Sequence, residues 1–339
     1  MAPPPPSGEP PPERIRLGHG GGGTLMHALI DRELRPLYAD PDQILHDAAT
    51  FPCPPGQLAF TTDSYVVHPL EFPGGDIGQL AITGTANDLA MAGARPSRVS
   101  VALILEEGLA LARLRRIVAS MARAAAACGV AIVTGDTKVV ERGKADGVFI
   151  TTSGIGVIES PTPIGPAAIA VGDQLLVSGD LGRHGLAILA ARHGLVLDPP
   201  ITSDCAPLWP LVETCLLAGV RLHCLRDLTR GGLASALHEL ATAAHAEFHL
   251  EEDQVPVLPA VARACEVLGF EPLHLANEGR FLAVVPAEHR TLAAEVLAPR
   301  GGAWIGEVRG GRGRVVLRTT YGSERLLLPP SGELLPRIC

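Results

Sequence analysis

The chain has 339 residues, 47% of them hydrophobic, which is enough for two ordinary domains with a core in each. A formal charge of −8 with no local basic run is not that of a nucleic-acid binder. The seven cysteines, at positions 53, 128, 205, 215, 224, 265 and 339, are odd in number and form no CxxC pair, so they suggest neither a disulfide framework nor a zinc site.

In chain order, residues 1–16 begin with MAPPPPSGEPPPER, a proline-rich leader expected to be disordered or polyproline. It lacks the basic start and apolar run of a signal peptide. The most apolar stretch, Leu109 to Val133, is interrupted by Arg113, Arg115, Arg116 and Arg123, so no membrane span and a cytoplasmic protein are expected. Strands are predicted at Leu58 to Thr62, Val99 to Leu105, Ala131 to Thr134 and Val148 to Val157, alternating with helices near Gly78 to Ala92 and Leu109 to Cys128. The breaker cluster Glu159 to Pro166 marks a boundary, giving an N-terminal domain over 17–162 and a C-terminal α/β domain over 163–328. In the second unit, strands are predicted at Gln174 to Ser178, into Arg226, and at Phe281 to Val285, with short strands from Ala303 to Leu328. Helices are predicted near His184 to Arg192, Pro207 to Leu217, Gly232 to His245, Pro259 to Leu268 and Glu288 to Leu297. Residues 329–339 contain three prolines and a glycine and read as a loose tail, reaching roughly 30 Å, with no partner to bury its final Cys339. Most of the other cysteines read as buried small hydrophobes.

Polar clusters fall at the ends of these elements. Gly18 to Gly23, including His19, Gly20, Gly21 and Gly22, reads either as a phosphate-cradling loop or as a flexible linker. Asp63 after a strand, Asp88 on a helix and Asp136 with Lys138 after another strand supply hard oxygen ligands and a cation, as magnesium-bound polyphosphate needs. Taken singly, they are turn formers or solvated positions. The turn Leu225 to Gly232, with Asp227 and Arg230, suits an anion at a helix start, or Asp227 or Thr229 merely caps that helix. Glu278, in Ala276 to Arg280, reads as a general base or a solvated turn residue, and His184 as structural. These residues by themselves indicate a two-domain magnesium-nucleotide enzyme.

The stretches FTTDSYVVHPLEFPGGDIGQLAITGTANDLAMAGARP (60–96), VTGDTKVVERGKADGVFITTSGIGV (133–157), SGDLGRHGLAILAAR (178–192), CLRDLTRGGLA (224–234), LANEGRF (275–281) and the terminal PRIC together resemble the HypE family of hydrogenase maturation factors. The likeness runs from about Leu17 to Cys339. It implies an α/β, aminoimidazole ribonucleotide synthetase-like fold whose N-terminal sheet pairs with that of a second subunit as a homodimer barrel. It also implies that Cys339 accepts a carbamoyl group from the carbamoyltransferase HypF. ATP then drives dehydration of the S-carboxamide to S-cyanide, which passes to the HypC–HypD complex for the iron of [NiFe]-hydrogenase. On the same resemblance, Asp63, Asp88, Asp136 and Asp227 hold Mg2+ and phosphate, His19 and Gly20 to Gly22 lie over the phosphates, and Arg230 adds a phosphate contact. Glu278 removes protons from nitrogen with Lys138 assisting. An enzyme of the same group acting on a free small molecule, a carrier that only presents Cys339, and a redox role for its thiol remain as alternatives. Where the family reads Arg-Asp-Pro-Thr-Arg, this chain has Leu228; leucine is expected to loosen the turn slightly and add an N–H donor, with a modest effect on nucleotide affinity and no loss of function.

Overall fold

A computed structural model describes residues 13–38, 48–329, 335 and 337–339. Most of the proline-rich leader, through residue 12, and residues 330–334 and 336 of the tail lie outside the described residues.

The first unit opens with α1 (Thr24–Leu29), which runs on as a π turn through Leu34 and a 3-10 turn through Leu37. Leu29, Leu34 and Leu37 are buried against the first core. Their 5-then-3 spacing follows the π turn and breaks the 3.6-residue period, so no helix is predicted there. Strand β1 (Leu58–Tyr65) is followed by the small ribbon β2 (Glu71–Phe72) and β3 (Gly75–Asp76), then by α2 (Ile77–Met91). Asp76 caps α2 by accepting the Gln79 amide at 2.9 Å. After β4 (Ala94–Glu106) comes α3 (Leu111–Cys128), ended by Gly129 at φ 67°. Strands β5 (Ala131–Val140) and β6 (Val148–Ile158) complete a four-stranded sheet ordered β1-β6-β4-β5. Helices α2 and α3 cover one face of it. At Gly78 they approach so closely that a Cβ would stand 2.5 Å from the Ile117 carbonyl.

The second unit contains β7 (Gln174–Val177), α4 (Arg183–His193), α5 (Trp209–Leu217), β8 (Cys224–Asp227) and α6 (Gly232–Ala243). These are followed by β9 (Ala246–Glu251), α7 (Pro259–Leu268), β10 (Phe281–Val285), α8 (Arg290–Leu297), β11 (Ala303–Gly310), β12 (Arg314–Arg318) and β13 (Glu324–Leu326). Its seven-stranded sheet, ordered β13-β12-β9-β11-β7-β10-β8, is covered on both faces. Leu175 and Val177 pack with Leu233 and Leu237 of α6, while Leu176 and Phe281 pack with Val212 of α5 and Leu297 of α8. The continuous apolar runs at β7 and β10 follow from this double burial. Strand β9 was not expected from the sequence; it starts straight after the α6 helix, with His245 turning the chain at φ 49° instead of a glycine. Ala90 and Met91 at the end of α2 pack into the α5–α8 core, so α2 joins the two units.

Candidate active site

Four carboxylates converge where β1 and α2 of the first unit meet β8 and the turn before β10. Asp63 accepts the Tyr65 hydroxyl at 3.2 Å, and Asp88 accepts the Thr61 hydroxyl at 2.8 Å. Asp227 ends β8, buried, with the Arg226 guanidinium at 3.2 Å. Burial, followed by the charges of Asp227 and Asp63, pushes the Asp88 carboxyl up to about 7. Burial also raises Asp227, against the opposing charge of Arg226. Glu278 is 3% exposed, and its Oε1 has no hydrogen-bond partner among the described residues. Burial, with Asp227, Asp204, Asp63 and Asp88 around it, holds its carboxyl well above the ordinary range. An orphaned buried carboxyl calls for an explanation, and a ligand able to donate hydrogen bonds supplies one.

Two asparagines and an aspartate fix this turn. Asn87, beside Asp88, donates to the Ala206 and Glu278 carbonyls at 3.1 and 3.3 Å and accepts the Leu208 amide at 2.8 Å. Asn277 accepts the Gly182 amide at 2.8 Å and donates to the Leu228 and Leu275 carbonyls at 3.1 and 3.0 Å. The Asp204 carboxylate accepts the amides of Glu278 and Gly279, and a Cβ on Gly279 would collide with the Asp204 carbonyl. Apart from Asn87, which stands beside Asp88, and Asn277, inside the quoted LANEG stretch, this support gave no sequence signal: Asp204 lies in a segment without a motif.

The chain end lies in the same place, which corrects the expectation that Cys339 has nothing to bury it. The Val66 amide donates to the Cys339 carbonyl and the His68 amide to that of Arg337, both at 3.2 Å, while Arg337 Nε donates to the Val66 carbonyl at 3.1 Å. Arg192 donates to the Arg337 carbonyl at 2.8 Å, and Arg337 forms a close ion pair with Asp146. The Ile338 side chain is 4% exposed, packed into the first core, and Cys339 lies against that core, partly buried. Burial and the nearby Glu278 charge push its thiol up to about 12, opposed by the charge and hydrogen bond of Arg230. Backbone pairing of residues 337–339, with Ile338 buried and Leu335 and Cys339 packed against the core, is a pattern too short to read in a proline-rich tail.

His19, Gly20 to Gly22, Asp136 and Lys138 do not join this group within one chain. In the sheet register, Asp63, Thr152, Val101 and Gly135 share one row, and Ser64, Thr151, Ala102 and Asp136 the next. Asp63 therefore faces α2, while Asp136 and Lys138 point to the opposite, open face. They also sit on β5, at the other edge from β1, about 14 Å away at three strand spacings. There Lys138 pairs with Asp136 at 2.9 Å, and Gly20 packs on Val139. His19 uses Nδ1 to accept the Arg16 amide at 2.9 Å, and Gly22 and Gly23 border open space.

Among the described residues no group of three or more His, Cys, Asp or Glu side chains could hold a metal alone. Magnesium is seldom held in an all-protein cage; it takes one or two carboxylates plus substrate phosphates, and the mutually repelling Asp63, Asp88 and Asp227 fit that role. No described helix is long and apolar enough to cross a membrane. Cys128, Cys205, Cys215, Cys224 and Cys265 are buried, as their reading as small hydrophobes anticipates.

Residues 45–158 match the N-terminal domain, and residues 170–318 the C-terminal domain, of the AIR synthase related proteins. The chain is 49% identical to carbamoyl dehydratase HypE of Rhodobacter capsulatus, covering 96% of this chain and 98% of that protein. A crystal structure of the hydrogenase maturation protein HypE in complex with ATP superposes with a TM-score of 0.90 at 44% identity, over 95% of this chain and 99% of the other. The HypE chain of a HypE–HypF complex does so at 0.78 and 43% identity, over 80% and 90%. Likeness of this extent, in sequence and in fold, shows that the chain belongs to the HypE family of carbamoyl dehydratases, within the AIR synthase related proteins.

Proposed function

We propose that this chain dehydrates an S-carboxamide carried on Cys339 to an S-cyanide in an ATP-dependent reaction, supplying cyanide for the iron of [NiFe]-hydrogenase. The observation that carries the reading is the C-terminal cysteine docked beside the buried carboxyl of Glu278, whose Oε1 has no hydrogen-bond partner among the described residues. A primary amide does not expel its oxygen unaided. Transfer of a phosphoryl group to that oxygen turns the leaving group into phosphate, and loss of both protons from nitrogen then gives the nitrile. The sum is S-carboxamide plus ATP giving S-cyanide, ADP and phosphate. The nucleotide supplies the phosphoryl group and Mg2+ offsets its charge. Asp63, Asp88 and Asp227 would hold the cation, and Arg230, beside the Cys339 thiol, would meet the transferred negative charge. Glu278 takes the nitrogen protons one at a time and hands them on to the departing phosphate; a cation among its neighbours lowers its raised pKa and frees it to act as a base.

The open sheet face, with exposed Leu58, Phe60 and Ile104, is assigned to a second copy of this chain, closing the expected dimer barrel. That copy would bring Lys138, Asp136 and the His19 glycine loop to a site they do not reach in cis. HypF is assigned as the carbamoyl donor, consistent with the HypE–HypF complex among the similar structures, and a HypC–HypD pair as the cyanide acceptor.

The test is intact mass spectrometry of the C-terminal peptide after incubation with a HypF-type carbamoyltransferase, carbamoyl phosphate and Mg-ATP. Carbamoyl addition followed by ATP-dependent loss of one water is expected, and neither in Cys339→Ala. Carbamoylation without water loss would make the chain a carrier; no modification at all would point to a small-molecule substrate.

A further inference from the structure

A loop with no motif of its own, Ser203 to Ala206 between α4 and α5, bonds to Glu278 directly and reaches the residue before Cys339 through His184. On one side the Asp204 carboxylate accepts the amides of Glu278 and Gly279 at 3.2 and 3.1 Å, and the Ala206 amide donates to the Glu278 carbonyl at 3.4 Å. On the other side Ser203 Oγ stands 2.8 Å from Nδ1 of His184, whose Nε2 stands 2.9 Å from the carbonyl of Ile338, the peptide bond that joins Cys339. His184 is fully buried, with Phe72 edge-on at 5.5 Å.

The network fixes the ring's proton. A carbonyl only accepts, so Nε2 carries the hydrogen, and burial keeps the ring neutral by lowering its pKa. Nδ1 must then accept from the Ser203 hydroxyl, whose oxygen accepts the Cys205 amide at 3.1 Å. A histidine serving only the core would close its bonds within the core. This one directs a ring nitrogen to the penultimate residue of the chain, 154 positions away.

We propose that Ser203 and His184 are positioning residues that hold the chain end in register with Glu278, so that one loop gauges the distance between the thiol-borne group and its base. The inference rests on the proposed reaction for its purpose, although the contacts themselves require neither ATP nor a carbamoyl group. Without the His184 donor, the Ile338 carbonyl loses its hydrogen bond inside an apolar setting, which shifts the docked tail toward the free one roughly tenfold.

The experiment measures alkylation of each cysteine by iodoacetamide, read by peptide mass spectrometry on the full-length protein without ATP. Exposed Cys53 gives the free-thiol rate, and buried Cys128, Cys215 and Cys224 report on folding. Cys339 in the wild type is expected to label far more slowly than Cys53, because only the undocked tail offers an ordinary thiol. His184→Leu should speed Cys339 labelling about tenfold, and His184→Gln, whose amide can still donate to the carbonyl, should restore most of the protection. Ser203→Ala should label faster than wild type, and Ser203→Thr, which keeps the hydroxyl, should not. If His184→Leu also exposes the buried cysteines, it has unfolded and the Ser203 pair decides. Wild-type labelling of Cys339 in Ser203→Ala with the core still protected, or wild-type Cys339 reacting as fast as Cys53, overturns the proposal. A chain that labels as expected yet never loses water in the mass assay would sink the proposed reaction and leave the register standing.

Discussion

At Asp88, stability and binding pull in opposite directions. Its carboxyl, raised to about 7 by burial and by the Asp227 and Asp63 charges, is ionised in the unfolded chain well below the pH at which it ionises in the folded one. A raised folded pKa means a contribution fully present below the ordinary carboxylate value near 4 and lost as pH climbs through about 7. Asp88→Asn, neutral throughout, should therefore unfold at a higher temperature than wild type at pH 8 without divalent cations. The difference should be on the order of 2–4 kcal/mol and should close by pH 4. Mg-ATP should reverse the order, because the cation supplies the missing countercharge to the wild type and the variant has lost a ligand. An Asn variant that melts no higher than wild type at pH 8 would mean that burial and the neighbouring charges do not raise the Asp88 carboxyl. Residues of this kind are legible in sequence, since Asp227 ends β8 and Glu278 stands just before β10, while Asp63, expected just after a strand, lies inside β1 two residues from its end. Asp204 is not, because its work is to accept two backbone amides, and any turn aspartate looks the same in sequence until the fold shows which amides face it.

Among the elements, the turn after β8 shows how a single departure is absorbed. Leu228 was expected to loosen it, yet its added N–H donates to the Arg280 carbonyl at 3.0 Å and its carbonyl accepts the Asn277 amide at 2.9 Å. The side chain is fully buried among Leu181, Leu233 and Leu282. Leucine thus ties the Asp227 turn to the Glu278 turn with a donor that proline lacks. Leu228→Pro is expected to cost about 2 kcal/mol in denaturant unfolding, from the lost hydrogen bond and the lost buried methyl groups. An unchanged midpoint would show that this bond contributes nothing. Most helices and strands were readable because their apolar periods are regular, as in α3 and β4. The π turn after α1 was not, because its register slips by a residue, and neither was the docking of residues 337–339, which depends on backbone pairing and on the partners of two side chains, Arg337 and Ile338, that are distant in sequence.

For the whole molecule, the sheet register divides the proposed machinery between opposite faces. Glu278, Asp63, Asp88, Asp227 and the chain end lie on the α2 side, whereas Lys138 and Asp136 occupy the open face at the far edge. No side-chain rotation carries Lys138 through a four-stranded sheet, so if it assists Glu278 it must do so from another copy. The proposed two-fold barrel would do this twice, each chain lending its β5 edge to its partner's site. Complementation follows directly. Lys138→Ala and Glu278→Gln, each alone, should abolish ATP-dependent water loss from a carbamoylated tail. Equal amounts mixed and re-equilibrated should regain about a quarter of wild-type turnover, because about half of the dimers are then mixed and each of these has one intact site. Recovery near that level requires a site shared between two chains. If the mixture stays inactive although mass spectrometry shows mixed dimers, Lys138 does not serve the Glu278 of a partner, and the proposed barrel loses its catalytic purpose.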